Sequence, residues 1–247
     1  MPPEPSVLDA QGVSKRFGSV VALDRVTLDV RRGECVALIG ESGSGKTTLL
    51  RCFNRLTDPD EGRVLVDGVD ASGLDPIGLR RRIGYVPQDG GLLPHWRVRR
   101  NVALVPWLRG AARPEAGADR ALTLVGLEPE TFGHRWPGEL SGGQRQRIAV
   151  ARALAAEPDV VLLDEPFGAL DAITRADLQT TFSELRSELR LTALLVTHDL
   201  SEAFLLADRV AVMRAGAVEQ VAPPSELLSA PATPYVSALL RRARMRA

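Results

Sequence analysis

The sequence predicts an α/β fold, in which a mainly parallel β-sheet is accompanied by a small antiparallel sheet and an inserted lobe of helices. Three observations predict this fold. Short apolar runs have the composition of buried strands, an early part of the chain alternates apolar and polar residues, and the middle has helical spacing. Hydrophobic residues make up 45% of the 247 positions and charged residues 25%, which is enough apolar material for a sizeable core.

Four short apolar runs are predicted to be buried strands of the parallel sheet. The first three are each followed by a turn or a helix-like segment, which gives the alternation of strand and helix typical of α/β proteins. The runs are CVALIG at 35–40, VVLLD at 160–164, TALLVT at 192–197 and RVAVM at 209–213.

The first seventy residues have a different pattern. Segments 7–17, 20–30 and 62–70 alternate apolar and polar residues more regularly and contain Gly and Asp turns. A sheet with one solvated face has this alternation, so we predict that these segments form the small antiparallel sheet.

The middle of the chain is predicted to be helical. Segments 98–109, 116–126 and 142–156 have helical spacing and are separated by Pro and Gly. Because the predicted strands lie in two blocks on either side, we expect residues 91–157 to form an inserted helical subdomain.

The rest of the chain divides around this insertion. We predict a core that includes the antiparallel sheet, followed by a C-terminal helical tail whose Arg-rich end, RRARMRA, is a solvated helix end. The predicted core comprises residues 1–90 and 158–222, and the tail comprises residues 223–247.

The charge balance and the N-terminal sequence exclude some classes of protein. Lys plus Arg number 31 and Asp plus Glu number 31, so no net field favours binding to nucleic acid, and we expect no nucleic-acid partner. The sequence MPPEPSVLDA lacks the layout of a signal peptide. No stretch approaches the ~18 apolar residues needed to cross a bilayer. We therefore expect a cytoplasmic protein whose membrane role, if any, depends on a partner.

The cysteines and two of the histidines are not expected to carry chemistry. Cys35 lies in an apolar run and Cys52 in a helical pattern, which favours small buried apolar residues over a redox pair or a metal site. His95 and His134 have no Cys or carboxylate neighbours at metal-ligand spacing, so we interpret both as ordinary polar or packing residues.

The strongest motif is GESGSGKT, which fits the phosphate-binding pattern G-x-x-x-x-G-K-[ST]. It follows an apolar run and opens the helical segment KTTLLRCFNRL, and this context favours a phosphate-binding loop over a glycine-rich turn. Lys46 would reach the β- and γ-phosphates, and the Thr47 hydroxyl would bind Mg²⁺. The predicted nucleotide-binding residues here are Gly40, Glu41, Ser42, Gly43, Ser44, Gly45, Lys46, Thr47 and Thr48.

The second motif is VVLLDE at 160–165, a buried strand that delivers two carboxylates at its C-terminal end. Ligands of open α/β sheets bind at that end. We expect Asp164 to hold Mg²⁺ as a hard oxygen ligand and Glu165 to polarise the water that attacks the γ-phosphate. Two carboxylates in a helix-capping loop are the alternative, which the upstream phosphate loop makes less attractive.

The third motif, LSGGQ at 140–144, resembles the signature motif of ATP-binding cassette (ABC) proteins. A polar turn with a helix cap at Ser141 explains the bare string, but the same groups also form a phosphate-binding surface. In this family the motif faces the γ-phosphate of ATP held by the opposite subunit. The resemblance therefore implies a head-to-tail homodimer, in which the site is completed by Ser141, Gly142, Gly143 and Gln144.

The resemblance implies roles for four further residues. Phe17 matches the aromatic residue that stacks on adenine, and Gln88 in GYVPQ matches the glutamine that contacts Mg²⁺ and the attacking water. Asp171 in GALD matches the loop that crosses the dimer interface. His198 matches the histidine that contacts the γ-phosphate and supports the catalytic glutamate, although taken alone it fits a core or turn histidine better.

The motifs occur in the family's order across residues 17–198, so the resemblance covers nearly the whole chain. It implies a P-loop NTPase (RecA-like) core, ATP hydrolysis with Mg²⁺, and a position on the cytoplasmic face of the membrane. The implied partners are transmembrane permease subunits and, indirectly, an external solute-binding protein. A permease helix would dock in a groove formed by the helical lobe and the Gln88 loop. Trp96 and Trp107 on that lobe could be core or partner-facing.

Segments 101–108, 164–179 and 224–240 resemble ATPases that import quaternary amines such as glycine betaine, choline, carnitine or proline. Many of these carry extra regulatory domains after the cassette, and we expect that sensing to be absent here or to lie elsewhere. The alternatives are an ABC ATPase for amino acids, sulfonates, molybdate or lipids, and a soluble ABC ATPase of DNA repair or translation. A phosphate-loop kinase or GTPase is disfavoured because it would lack LSGGQ.

Overall fold

The fold is known from a computed structural model, which describes residues 6–168 and 170–244, the last three of these as backbone only. The strands are β1 (Ser6–Phe17), β2 (Val20–Arg31), β3 (Cys35–Ile39), β4 (Glu61–Val66), β5 (Val69–Asp70), β6 (Ile83–Val86), β7 (Val160–Asp164), β8 (Thr192–Val196), β9 (Arg209–Arg214) and β10 (Ala217–Ala222). The α-helices are α1 (Lys46–Phe53), α2 (Pro76–Arg82), α3 (Val98–Val102), α4 (Leu104–Leu108), α5 (Pro114–Leu124), α6 (Pro129–Phe132), α7 (Gly142–Leu154), α8 (Ala172–Leu189), α9 (Leu200–Leu206), α10 (Pro224–Ser229) and α11 (Pro234–Arg244).

The chain divides into two compact units. Unit 1 contains the described residues up to Leu79 and those from Thr192 onward, and unit 2 runs from Arg80 to Leu191. Unit 1 therefore contains the phosphate loop, whereas unit 2 contains the carboxylate pair and the signature motif.

Unit 1 contains the predicted antiparallel sheet. Its strand order is β2-β1-β4-β5, and every pairing within it is antiparallel. Leu8 lies opposite Val30 on one side and Val66 on the other, and all three side chains are buried. The alternation of the early segments thus marks strands with one buried face, as predicted.

The second group of strands in unit 1 is ordered β10-β9-β3-β8. β3 pairs in parallel with both β8 and β9, and all five of its residues are buried. A strand buried on both faces reads as a continuous apolar run, which is why CVALI was recognisable from the sequence. Its carboxyl end, Ile39, leads directly into the phosphate loop.

A cluster of charges joins β9 to the segments before β3. The Arg209 guanidinium donates to both carboxylate oxygens of Glu34, at 2.5 and 2.9 Å, and also contacts the Asp29 carboxylate at 3.2 Å. These hydrogen bonds raise the pKa of Arg209 above its usual value. Bidentate pairs of this kind are geometrically specific, so the cluster fixes the strand neighbouring β3.

Unit 2 combines two parallel strands with most of the helices. β6 and β7 pair in parallel, with Gly84 opposite Val161. Helices α3 and α4, α5, and α7 correspond to the three helical segments predicted from the sequence. They lie within residues 91–157, and the separate helical lobe proposed for that range stays a prediction.

The two cysteines are free and buried, as predicted. Burial raises the pKa of the Cys52 thiol to about 12, so this side chain behaves as an apolar residue. Across residues 6–168 and 170–244, no helix is long and apolar enough to cross a membrane. Of the predicted Arg-rich tail, Arg241 is exposed, while residues 245–247 lie outside the described residues.

Candidate nucleotide-binding site

The phosphate loop of unit 1 connects β3 to α1, and two of its glycines lie where a side chain would meet neighbouring backbone. Gly40 has a φ of 150° and Gly45 a φ of 102°. A Cβ atom at Gly40 would lie 2.1 Å from the Met213 carbonyl oxygen, and one at Gly45 would lie 2.4 Å from that of Ala22. The close approach of neighbouring backbone therefore fixes the path of the loop.

Lys46 is enclosed by the loop that it follows. Its side chain is buried, and Nζ donates to the carbonyl oxygens of Gly40 and Glu41, both at 2.9 Å, and to Ser44 Oγ at 3.3 Å. Lys46 is the first residue of α1, and the residue before it, Gly45, has no side chain to cap the helix. A buried cation at an uncapped helix N-terminus favours an anionic ligand.

The other predicted residues of unit 1 are more exposed. Thr47 and Thr48 are half-buried in the first turn of α1, whereas Glu41, Ser42 and Gly43 are exposed on the loop.

Two predicted side chains of unit 1 lie at strand ends. Phe17 ends β1 with 52% of its surface exposed, as an adenine-stacking ring requires, and the Lys15 ammonium lies 5.6 Å from its ring centroid. His198 is exposed just beyond β8, where Asp199 caps α9.

In unit 2 the structure brings Gln88 and Glu165 together. Asp164 ends β7 and is 1% exposed. The next residue, Glu165, has a φ of 48°, a left-handed conformation that costs a non-glycine residue roughly 1–2 kcal/mol. Its Oε2 accepts a 3.4 Å hydrogen bond from Gln88 Nε2. Backbone strain of this kind is often found at functional positions. Here the strained residue is the one whose carboxylate accepts the hydrogen bond from Gln88.

The signature segment begins α7 with a reciprocal cap. The backbone N–H of Gln144 donates to Ser141 Oγ at 3.2 Å, and the backbone N–H of Ser141 donates to the side-chain Oε1 of Gln144 at 3.0 Å. Ser141 and Gly142 are exposed, so the start of the helix faces outward. Both the predicted cap and an anion-binding surface are therefore consistent with this geometry.

Asp171 begins the next long helix of unit 2. Its carboxylate accepts a 3.0 Å hydrogen bond from the Thr174 amide at the start of α8, and this bond lowers the pKa of Asp171. A Cβ atom at Gly143 would lie 2.2 Å from Thr174 Cγ2, so α7 and α8 touch where the signature begins. The structure therefore places Asp171 on the helix that packs against the signature helix.

Sequence reasoning missed the residues that hold the segment from Gln88 to Leu93, called here the glutamine loop. Arg152 on α7 donates to the carbonyl oxygens of Gly91 at 2.5 Å and Gly90 at 2.9 Å. Buried Asn101 on α3 accepts from the Leu93 amide at 2.7 Å and donates to the Leu93 carbonyl at 3.1 Å. The paired glycines after Gln88 were the available signal, but their partners were not readable from the sequence.

A surface concavity of about 390 Å³ lies on α3 and α4. Part of its lining is called here the tryptophan face and comprises Trp96, Arg100, Ala103, Leu104 and Trp107. Trp107 is 60% exposed, and the Arg100 guanidinium lies 4.1 Å from the Trp96 ring centroid. Of the two alternatives left by the sequence, the structure excludes a core position for Trp107, while Trp96 is half-buried.

Comparison with known proteins agrees with this geometry. A family model described as "ABC transporter" matches residues 23–168. The chain is 45% identical over 242 residues to the glycine betaine/carnitine/choline transport ATP-binding protein OpuCA of Bacillus subtilis (strain 168), covering 97% of this chain and 63% of that protein. It is 48% identical over 237 residues to the sulfate/thiosulfate import ATP-binding protein CysA of Bordetella bronchiseptica, covering 94% and 66%. The chain thus spans less than two thirds of the length of these two relatives.

The fold also matches a solved cassette. The dimeric structure of MJ0796, described as a bacterial ABC transporter cassette, has a TM-score of 0.81 and 34% identity, covering 88% of this chain and 98% of that one. A post-hydrolysis state of the same cassette bound to ADP and Pi has a TM-score of 0.80. These similarities confirm the predicted α/β cassette fold. With the family model matching more than half of its length, the chain belongs to the ABC transporter family.

Proposed function

We propose that this chain is the ATP-binding and ATP-hydrolysing subunit of an ABC importer, in which ATP closes a pair of copies and drives solute uptake. The observation that carries the proposal is the buried Lys46 ammonium, held by three oxygens of a glycine loop at the start of α1. Phosphate oxygens are the natural acceptors for such a cation, because charge-assisted hydrogen bonds to phosphate are strong.

The proposed reaction is transfer of the γ-phosphoryl group to water, in which positioning and charge stabilisation supply most of the catalysis. Glu165 accepts the proton of the attacking water, and Gln88 orients that water and its base. Their 3.4 Å hydrogen bond supports this division of roles. Lys46 binds the β- and γ-phosphates, His198 contacts the γ-phosphate, and Phe17 stacks on adenine through its exposed ring.

The residues proposed for Mg²⁺ fit that ion chemically. Mg²⁺ prefers hard oxygen ligands and commonly takes one or two carboxylates together with substrate phosphates. The buried Asp164 carboxylate, the Thr47 hydroxyl and the Gln88 amide oxygen offer such donors. In the part of the chain that the structure describes, no group of three or more His, Cys, Asp or Glu side chains could hold a metal. Substrate phosphates and water would therefore supply the remaining ligands, as is usual for Mg²⁺. Bound Mg²⁺ would neutralise charge developing on the phosphates.

A second copy of the chain is proposed to complete each nucleotide site. Ser141 and Gly142 are exposed at the start of α7, where amides and a hydroxyl can meet an anion. The exposed Asp171 side chain lies on the helix packed against this segment, which suits a loop that crosses between copies. The dimeric state of the MJ0796 cassette supports the same arrangement here.

The tryptophan face is proposed to dock a helix of a transmembrane permease subunit, which would place the chain at the cytoplasmic side of the membrane. Exposed aromatic residues are enriched at protein interfaces. Asn101 donates from within α3 to the carbonyls of Leu93, Trp96 and Arg97, so this buried side chain ties the tryptophan face to the end of the glutamine loop. An external binding protein would act only through the permease.

The solute is proposed to be a quaternary amine such as glycine betaine, carnitine or choline. The name of the OpuCA relative and the resemblance of segments 101–108, 164–179 and 224–240 support this choice. Sulfate or thiosulfate is the second candidate, because the CysA relative is 48% identical over a similar span. Uptake of labelled choline and labelled sulfate by cells expressing the assembled transporter separates the two.

The proposed hydrolysis is tested with Glu165→Gln in the assembled complex. We expect ATP binding to persist while turnover falls by roughly 10²–10⁴-fold, the effect of losing a general base. Glu157→Gln is a matched control, because Glu157 also has a left-handed backbone but its side chain is 77% exposed in an ion pair with Arg120. Near-normal hydrolysis by the Glu165 variant would show that another group is the base.

A further inference from the structure

We infer that Arg152 is a positioning residue for ATP hydrolysis, which fixes the glutamine loop on the signature helix so that Gln88 stays aligned with Glu165. This inference rests on the proposed function and extends it to a residue outside the predicted site. All the contacts involved lie within unit 2.

Arg152 binds the glutamine loop through two successive carbonyl groups. One terminal nitrogen donates to the Gly91 oxygen at 2.5 Å and the other to the Gly90 oxygen at 2.9 Å. The guanidinium is planar and presents its donors as a rigid fork, so this pair of bonds fixes the orientation of the loop as well as its distance. A lysine ammonium can supply charge but not the same fork.

The loop is shaped to receive this side chain. Gly90 and Gly91 have φ values of 73° and 58°. A Cβ atom at Gly91 would lie 2.8 Å from Pro87 Cγ and 3.2 Å from Arg152 Nη2. Only glycine therefore allows the carbonyls to turn toward the arginine without displacing it.

The face of α7 that carries Arg152 also packs closely against the glutamine loop. A Cβ atom at Gly90 would lie 3.6 Å from both the Ala149 Cβ and the Gln146 Oε1 atoms. Residues 146, 149 and 152 are spaced by three and so share one face of the helix. The loop thus lies along this face, with Arg152 as its polar attachment.

Breaking the hydrogen bonds between Arg152 and the glutamine loop would leave a charged guanidinium without these acceptors. Burial lowers the pKa of Arg152, and the nearby Asp89 carboxylate opposes that effect. The guanidinium nevertheless stays charged at any physiological pH. A half-buried cation is stabilised by its acceptors, so the two carbonyls of the loop hold Arg152 and are held in turn to α7. Gln88, two residues before Gly90, is thereby held within hydrogen-bonding distance of Glu165.

The experiment is a double-mutant cycle on the ATPase activity of the assembled complex, using Arg152→Gln, Gln88→Ala and both together. If Arg152 acts through Gln88, we expect Arg152→Gln to lower kcat about tenfold with little change in KM, and the double variant to be no slower than Gln88→Ala, because coupled residues are non-additive. Arg152→Lys, which keeps the charge but loses the fork, should recover part of the rate.

Arg147→Gln provides the matched control. Arg147 lies on the same helix and donates to a loop carbonyl, that of Val125 at 3.1 Å, on a different segment. The factor by which Arg147→Gln lowers kcat should multiply with the factor for Gln88→Ala, because the two residues act independently. Gly91→Ala disturbs the same contact from the loop side and should reproduce the kcat loss, which keeps the test available if Arg152→Gln does not fold.

Two results would overturn the inference: multiplying effects of Arg152→Gln and Gln88→Ala, or a loss confined to KM. Either result, in a complex whose wild type hydrolyses ATP and whose Glu165→Gln variant does not, leaves the proposed function standing. Failure of that wild-type activity would instead reject the proposed function itself.

Discussion

The two segments that we propose to bind phosphate differ in how fully each is enclosed. In the phosphate loop, the Lys46 ammonium is buried among oxygens of its own loop, and Gly40 and Gly45 are pressed against neighbouring carbonyls. In the signature segment, Ser141 and Gly142 are exposed and the visible side-chain bonds are a helix cap. The first segment encloses its own lysine, whereas the second leaves its hydroxyl and first glycine open to solvent, as a half of a shared site would.

This difference teaches how a binding site can be shared between copies. A complete cradle should bind nucleotide in a single chain, so substitutions in the phosphate loop should weaken nucleotide binding by the isolated chain. A half site contributes only when another copy supplies the remainder, so its defects should appear in turnover by the assembled complex. The four predictions that follow test this division, beginning with the largest expected effect.

Replacing Lys46 by Ala should abolish most nucleotide binding by the isolated chain. The variant loses charge-assisted hydrogen bonds worth about 1.5–3 kcal/mol each, so we expect ATP affinity to fall by roughly 100-fold or more. Isothermal titration calorimetry on the isolated chain measures this directly. Unchanged affinity would show that the cradle around Lys46 is not the phosphate site.

Gly45→Ala and Gly43→Ala should differ sharply in stability. Both positions have positive φ, but only at Gly45 would a Cβ atom meet backbone, 2.4 Å from the Ala22 carbonyl oxygen, whereas at Gly43 nothing lies within 4 Å. We expect Gly43→Ala to cost about 1 kcal/mol of strain and Gly45→Ala at least ~2 kcal/mol more. Urea unfolding of the two variants makes the comparison, and equal losses would contradict the close packing at Gly45.

Ser141→Ala should separate binding from turnover. We expect the ATP affinity of the isolated chain to change by less than about twofold. Loss of the helix cap should separately lower the free energy of unfolding by about 1 kcal/mol. Turnover by the assembled complex should fall by about tenfold or more, as when one donor to a developing charge is removed. Ser141→Thr keeps the hydroxyl and serves as the control. Normal turnover by Ser141→Ala would remove the hydroxyl from the shared site.

The smallest effect concerns pH and Asp171. Its pKa is lowered in the folded chain by the bond from the Thr174 amide, relative to about 3.9 when unfolded. The charged cap therefore stabilises fully above pH ~4 and is lost as the pH falls through the lower folded value. The difference in melting temperature between wild type and Asp171→Asn should persist at pH 6 and shrink below pH 4. A difference that grows on acidification would refute this assignment.

Elements that are buried throughout were predicted well from the sequence. β3, β7 and β8 are buried along their whole length and mostly apolar, and each lies within one residue of its predicted bounds. β6 was not predicted, because its four residues include a glycine and give too short a run. β10 was also not predicted, since most of its residues are only half-buried and it pairs with β9 alone.

Candidate site residues could be named from the sequence where the proposed chemistry requires particular residue types in one short segment. Gly40–Thr47 and the pair Asp164 and Glu165 are of this kind. The contacts of Arg152 with Gly90 and Gly91 join positions about sixty residues apart and depend on how a loop lies on a helix. No local pattern encodes that packing, and without it the arginine reads as one more basic residue on a helix.

The close fit of Gly143 against Thr174 has a consequence for how such sequences can change. A Cβ atom at position 143 would lie 2.2 Å from the methyl group of Thr174, so side chains at the two positions compete for the same space. A larger residue at position 143 is tolerable only if position 174 carries a smaller side chain, the threonine methyl turns away or the helices separate. We therefore expect the two positions to vary together among descendants of this gene, although they belong to different motifs.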